Sequence, residues 1–188
     1  MTNFKKEMLE RTERRHQSLI AQYERVKRYI LRIEDNGGEP DRLWLDKFAK
    51  GEGLDICCGS FLIGEAKGVD GDWKDALAAD YFLDGDELYI KQGSSLDFVV
   101  SNYIEAFPNP LKALNEWWRI LRPGGTIALV CRDSDVSEDP MVPLKNPRRA
   151  SCFTEKTIQF YLRRAGFDSI KIEKNEINKS LRMVAKKP

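Results

Sequence analysis

The sequence holds one histidine, His16, in 188 residues, and four cysteines, Cys57, Cys58, Cys131 and Cys152. No two cysteines form a Cys-x-x-Cys pair, so a zinc site is not expected and the metal-ligand set is empty. His16 lies amid charge and reads as a solvated side chain. Two cysteines are adjacent at the end of an apolar run and a third sits inside another, which excludes a disulfide framework and suits a reducing compartment. There is no signal peptide and no apolar run long enough to cross a bilayer, so a cytoplasmic location is the expectation and no membrane partner is. The net charge is +1. The molecule as a whole therefore has no general pull toward nucleic acid or an anionic surface. Acids outnumber bases between about residues 50 and 140. From Lys145 the balance reverses, through Arg148, Arg149, Arg163, Arg164, Lys171, Lys174, Lys179, Arg182, Lys186 and Lys187. That reversal reads first as a solvated surface, and otherwise as a basic face.

Glycine is scarce where it would matter most. Gly53-Leu54-Asp55-Ile56-Cys57-Cys58-Gly59-Ser60-Phe61 reads as a short buried strand that breaks into a tight turn. A dinucleotide fingerprint needs three glycines there, and only Gly59 is present, with Cys57 and Phe61 at the outer positions. No Lys-Ser/Thr follows, which excludes a P-loop. Lys67-Gly68-Val69-Asp70-Gly71 is a second short strand ending in an acid. A carboxylate at such a strand end can accept from both hydroxyls of a ribose. The pair predicts a nucleoside-bearing cofactor across two neighbouring strand ends, with an ordinary strand, turn and incidental Asp as the alternative.

Downstream lie Phe98-Val99-Val100-Ser101-Asn102 and Leu121-Arg122-Pro123-Gly124-Gly125. With Leu54-Asp55-Ile56-Cys57-Cys58-Gly59-Ser60 and Gly68-Val69-Asp70, these resemble the class I S-adenosylmethionine-dependent methyltransferases of the small-molecule type, over roughly residues 50 to 188. The Leu-Arg-Pro-Gly-Gly turn and its preceding amphipathic helix are the most specific part and the glycine turn the least. The resemblance implies a Rossmann-like, doubly wound α/β fold with a mostly parallel seven-stranded sheet and an antiparallel last strand. It also implies an N-terminal helical extension over 1–50 and a methyltransferase domain over 51–188. The implied cofactor is S-adenosyl-L-methionine, with Asp55, Cys57, Gly59, Asp70, Asp84 and Ser101 as its binding residues. Asp84 stands where the family has a group accepting from the adenine amino group, with Asp86 in reserve and a plain loop aspartate as the alternative. Asp55 is expected to reach the cofactor's ammonium through turn groups or water, or else to satisfy local backbone N–H groups. The chain departs from the family after Gly59. Ser60 to Glu65 leaves room for one helical turn at most, so backbone N–H groups of the turn must replace a helix N-terminus beside the cofactor.

Residues 3 to 35 read as one long helix without Gly or Pro. Leu19, Tyr23, Val26, Ile30 and Ile33 form a stripe on it, and Asn36-Gly37-Gly38 stops it. The stripe packs on its own domain or pairs two subunits into a homodimer. A second helix runs to about Lys50 with Asp41 as N-cap and Leu43, Trp44, Leu45 and Phe48 as its apolar face. Asp72 to Ala78 is a short helical stretch, with Trp73 against the adenine edge or packed on the sheet. Ala79 to Leu83 is a third strand and Phe98 to Val100 a fourth, buried on both faces. Pro110 opens a helix through Leu121, and Trp117 and Trp118 read as core packing. Thr126 to Cys131 is a fifth strand. Val136 to Cys152 is a long loop expected to cover substrate. Thr154 caps a helix through Ala165, and Ser169 to Lys174 with Leu181 to Ala185 close the sheet as an antiparallel pair.

Methyl transfer needs in-line alignment more than any obligatory side chain, and alignment alone can lower a barrier by about 7–11 kcal/mol. Tyr103, Asp133 and Asp135 are candidate bases by position only, and no catalytic residue is assigned. The prolines of the Asp/Asn-Pro-Pro-aromatic run that marks base amino-methyltransferases are missing after Ser101. The sequence thus favours a small-molecule or sugar acceptor. RNA or protein methylation on the basic C-terminal half is a second reading, and a methyltransferase-fold interaction module without catalysis a third.

Overall fold

In the computed structural model, residues 12–13, 40–72, 76, 78–136 and 150–188 are described. The long N-terminal helix with its stripe, His16, Trp73 and most of the Val136 to Cys152 loop fall outside them. The chain separates into two compact units, Met1–Pro40 and Asp41–Pro188. In the first, Thr12 and Glu13 are helical and exposed.

The second unit follows the hydrophobic pattern of its sequence. Among the described residues six strands are formed: β1 (Gly53–Ile56), β2 (Lys67–Val69), β3 (Leu96–Ser101), β4 (Leu121–Arg132), β5 (Asp168–Asn175) and β6 (Ser180–Lys186), with helices α1 (Pro40–Asp46), α2 (Pro110–Ile120) and α3 (Glu155–Arg164). Their order is β2-β1-β3-β4-β6-β5. The first four are mutually parallel, and β6 runs antiparallel to both β4 and β5. The seventh strand expected over Ala79 to Leu83 is reduced to one parallel bridge, Val69 to Tyr81. The reason is local. The Asp80 side chain takes the Gly68 N–H at 2.8 Å, and the Asp80 and Tyr81 N–H groups both go to the Gly68 carbonyl. The edge of β2 is therefore satisfied without a continuing ladder.

Strand alternation sorts the core into two layers. Leu54, Ile56, Val99, Ile127 and Leu129 face one side, with Leu114, Trp117 and Ile120 of α2 and Ile158 and Leu162 of α3. Phe98, Val100, Ala128 and Val130 face the other, with Trp44 and Leu45 of α1 and with Ile63 and Ala66. Burying each such side chain contributes about 1.5–3 kcal/mol.

The helix ends follow their sequence signals. Asn109 accepts from the Lys112 N–H at 3.1 Å, with Pro110 in the first helical position. Thr154 and Thr157 form a reciprocal capping box, and the last turn of α3 gives way at Gly166. Trp117 is fully buried and donates to the Gly85 carbonyl at 2.6 Å, so it is a core side chain as read. Leu121 pairs with Leu96 and Thr126 with Phe98, so Arg122 to Gly125 bulge out of the ladder. Lys187 fastens this bulge to the end of α2. Its Nζ donates to the carbonyls of Leu121 at 2.7 Å and Trp118 at 2.9 Å, and stands 3.8 Å from the Trp118 ring centre.

One expectation is corrected here. Asp41 is not an N-cap but lies inside the first turn of α1. Its buried carboxylate accepts from Asn175 Nδ2 at 2.8 Å, Asn178 Nδ2 at 2.8 Å, Ser180 Oγ at 2.9 Å and Arg182 Nε at 2.7 Å. All four partners lie more than 130 residues away in sequence, so only the docking of α1 on the β5–β6 hairpin brings them to it.

Candidate functional site

Strand order reverses between β1 and β3: the chain goes outward to β2 from one and to β4 from the other. In an open parallel sheet the crevice at that reversal is where ligands bind. The register sets Ile56 beside both Val69 and Ser101. The next residues along β1 and β2, Cys57 and Asp70, thus emerge side by side with Ser101.

The turn after β1 is left-handed at two residues, Cys57 with φ 60° and Gly59 with φ 62°. An L-residue pays roughly 1–2 kcal/mol for that conformation, so Cys57 stores local strain. Its N–H donates to the Val69 carbonyl at 2.8 Å, tying the turn to β2. A Cβ built on Gly59 would meet nothing within 4 Å. The turn therefore presents bare backbone to open space.

Asp70 is half-buried and holds two backbone groups. Its Oδ2 accepts from Gly59 N–H at 2.9 Å and its Oδ1 from Asp72 N–H at 2.9 Å. Each carboxylate oxygen has two acceptor sites, so both oxygens can accept further donors. Asp84 is exposed and close by: a Cβ on Gly71 would lie 3.1 Å from its Oδ1. Ser101 is fully buried, and its Oγ accepts from the Tyr103 N–H at 3.3 Å.

Asp55 is placed differently from the other five. As the middle residue of β1 it points to the opposite face from Leu54 and Ile56. It is 1% exposed, its Oδ2 accepts from Ile63 N–H at 3.0 Å, and Arg42 Nη2 lies 3.6 Å away. Burial pushes its carboxyl up to about 7, Arg42 and the Ile63 N–H pull it back, and Asp70 adds to the rise. Its contacts are those of a group satisfying local backbone and a neighbouring cation, beneath the turn. Burial also raises the Cys57 and Cys131 thiols well above their usual range and Cys58 to about 12, so they stay protonated and are poor nucleophiles.

The candidate bases separate as well. Asp133 is buried, pairs with Lys174 Nζ at 3.1 Å, and accepts from Asp135 N–H at 3.0 Å. Asp135 is exposed and Tyr103 half-buried. Glu105, to which sequence reasoning gave no role although Ile104 to Phe107 resembles a family segment that commonly carries a His-Glu pair, is buried beside the same strand ends. Its carbonyl accepts from Ala150 and Ser151 N–H groups and its Oε1 from Arg132 N–H at 3.4 Å. After burial, its charge adds to the rise of the Cys57 and Cys131 thiols. The one sequence signal was its place on the Ile104–Ala106 turn after β3. A separate cleft along α2 holds Asp86, Lys112, Glu116 and Arg119. Its charges are paired with one another: Lys112 with Asp86 at 3.3 Å and Arg119 with Glu116 at 2.6 Å.

Among the described residues no helix is long and apolar enough to cross a membrane. A family model described as a methyltransferase domain matches residues 67–129. No curated protein sequence matches the chain. Among solved structures, a methyltransferase dependent on S-adenosylmethionine from Thermotoga maritima is 19% identical with a TM-score of 0.67, covering 88% of this chain and 96% of that one. Another from Archaeoglobus fulgidus is 19% identical with a TM-score of 0.62, covering 85% and 99%. Phosphoethanolamine N-methyltransferase 2 of Haemonchus contortus, solved with S-adenosyl-L-methionine, is 17% identical with a TM-score of 0.64, covering 81% of this chain and 53% of that one. The methyltransferase-domain match spans β2 to β4, and the fold is the one shared by these S-adenosylmethionine-dependent methyltransferases.

Proposed function

We propose that the chain binds S-adenosyl-L-methionine across the carboxyl ends of β1, β2 and β3 and transfers its methyl group to a small-molecule or sugar acceptor. The observation that carries this is the pairing of the open left-handed turn at Gly59 with the Asp70 carboxylate 2.9 Å from its N–H. The residues fit the group. Bare backbone at Gly59 allows close approach, and Asp70 retains lone pairs for the two ribose hydroxyls. Asp84, exposed beside Gly71, would be the residue to accept from an adenine amino group. Ser101 and Tyr103, at the end of β3, border the reacting end.

The cofactor supplies an activated methyl on a sulfonium, and no metal or covalent intermediate is required. The chain's own part is to bind, orient and shield. The Gly59 turn and Asp70 fix the nucleoside, and the end of β3 sets the direction of attack. The acidic surroundings, Asp70 and Asp84, suit a ligand that carries positive charge. A small acceptor is supported by a near-zero net charge and by the missing prolines after Ser101. The fold neighbour named for phosphoethanolamine is in keeping with it.

The test is calorimetric titration of the protein with S-adenosylmethionine and S-adenosylhomocysteine, alongside Asp70→Ala. Micromolar binding that the variant loses supports the reading and justifies an acceptor screen. Absence of binding by the wild type at millimolar ligand would turn the assignment toward the non-catalytic interaction module.

A further inference from the structure

The family places a helix after the glycine turn, and this chain has none there: residues 60–66 are turn, bend and irregular backbone. A turn that carries a strained Cys57 and presents bare backbone to a ligand needs support from elsewhere. Backbone bonds to Val69 and from Ala78 hold the start of the turn, and three further contacts to the segment after it come from α1 and the turn that follows it. Arg42 Nη2 donates to the Phe61 carbonyl. Ile63 is 2% exposed and packs with Trp44 and Leu45. Gly64, with φ 57°, is so close that a Cβ there would stand 2.9 Å from Asp46 Oδ1 and 3.3 Å from Ala49 Cβ. The same Arg42 group lies 3.6 Å from Asp55 Oδ2, which holds the Ile63 N–H at 3.0 Å. Arg42 and Asp55 thus grip the segment at Phe61 and Ile63, on the side of the sheet away from α2 and α3.

We propose that α1 substitutes for the missing helix and that Arg42 is a positioning residue for the cofactor turn, acting through the Phe61 carbonyl and through Asp55. The inference rests on the cofactor site proposed above. Arg42 touches no ligand in it. It holds the Cys57–Ile63 segment in the shape that sets the Gly59 N–H on Asp70. The donation to Phe61 needs only the guanidinium. The Asp55 contact adds a second anchor two residues further on. Arg42 is suited to this because one planar guanidinium can donate to a carbonyl and face a carboxylate together.

The test uses the full chain with Arg42→Met, Arg42→Gln and Arg42→Lys. S-adenosylhomocysteine affinity is read by calorimetry, global stability by thermal unfolding, and local order by amide hydrogen exchange in the unliganded protein. Arg42→Met is expected to weaken binding about tenfold or more. Exchange should quicken over Cys57–Ile63 while peptides from β3 and β4 keep their protection. Arg42→Lys, which retains a charged donor, should recover most of the affinity. If Arg42→Met does not fold, Arg42→Gln decides. Weakened binding at an unchanged unfolding midpoint supports the role, and wild-type affinity overturns it. Binding by the wild type that every Arg42 variant retains removes the positioning role alone. Absence of binding by the wild type removes the cofactor site and this role with it.

Discussion

The backbone N–H of Gly59 donates to Asp70 Oδ2 at 2.9 Å, so the residue after β2 holds the turn after β1 by a charge-assisted bond. The second oxygen of Asp70 holds Asp72 N–H at 2.9 Å. Asp70→Asn keeps one acceptor oxygen and replaces the other with a donor, so only one of the two backbone bonds survives. Its affinity for S-adenosylhomocysteine is expected to fall about tenfold or more, from the lost charge and the misplaced turn. Calorimetry reads this directly, and wild-type affinity in the Asn variant would remove Asp70 from the site.

Gly59→Ala separates backbone strain from ligand contact. With φ at 62° an alanine costs about 1–2 kcal/mol, but its methyl group would point into open space. Stability by denaturant unfolding should drop by no more than that amount. Cofactor affinity should drop further if the open space is where the ligand lies. An affinity loss no greater than the turn strain implies would place the ligand elsewhere.

Asp41 ties α1 to the β5–β6 hairpin through four partners, Arg182 among them at 2.7 Å. Asp41→Ala leaves that guanidinium and three polar groups without their shared acceptor. A loss of about 3–5 kcal/mol is expected, the range for breaking a buried pair from one side. Because α1 also supports the cofactor turn, ligand affinity should fall with it. Asp41→Asn should recover part of both, since an amide oxygen can still accept.

Two carboxyls give opposite pH slopes in separate windows. Hydrogen bonds from Asn178, Asn175, Arg182 and Ser180 outweigh burial and hold Asp41 below its usual range. Its stabilisation is present above the unfolded value of about 3.9 and is lost as pH falls through the folded value. Asp55 is raised to about 7, chiefly by burial. Between the unfolded value and 7 the folded state binds the extra proton, so stability falls as pH rises and levels off above 7. Unfolding midpoints from pH 3 to 8 should show both slopes. Asp55→Asn should flatten the upper window and leave the lower one, and an unchanged upper slope would show that another group is responsible.

The local sequence was enough to read most of the framework. Alternation at Leu54, Ile56 and Val99 marked buried strands because a strand's period is two. Asn109-Pro110 and Thr154 marked helix starts because their side chains and fixed φ act within one turn. Asp70 and Gly59 were legible as neighbouring strand-end and turn residues because a strand end with an acid and a turn with a glycine are local patterns, and the structure joins them by a hydrogen bond. Three features were not legible. Asp41 looked like a cap, yet its partners lie at Asn175 to Arg182, and no short-range pattern encodes a hydrogen bond across more than 130 residues. Tyr81 looked like part of a strand, but the Asp80 side chain takes the Gly68 N–H and the pairing stops at the single Val69 to Tyr81 bridge. Asp55 read as either a cofactor group or a backbone anchor. Which way it faced was decided by packing: Ile63 and Arg42 meet it only when α1 lies against the sheet. The sequence alone determined where strands, turns and acids stand along the chain, because those follow from side-chain period and backbone sterics. Tertiary structure decided which acids face the crevice and which lie buried as anchors, because that depends on groups brought together from distant parts of the chain.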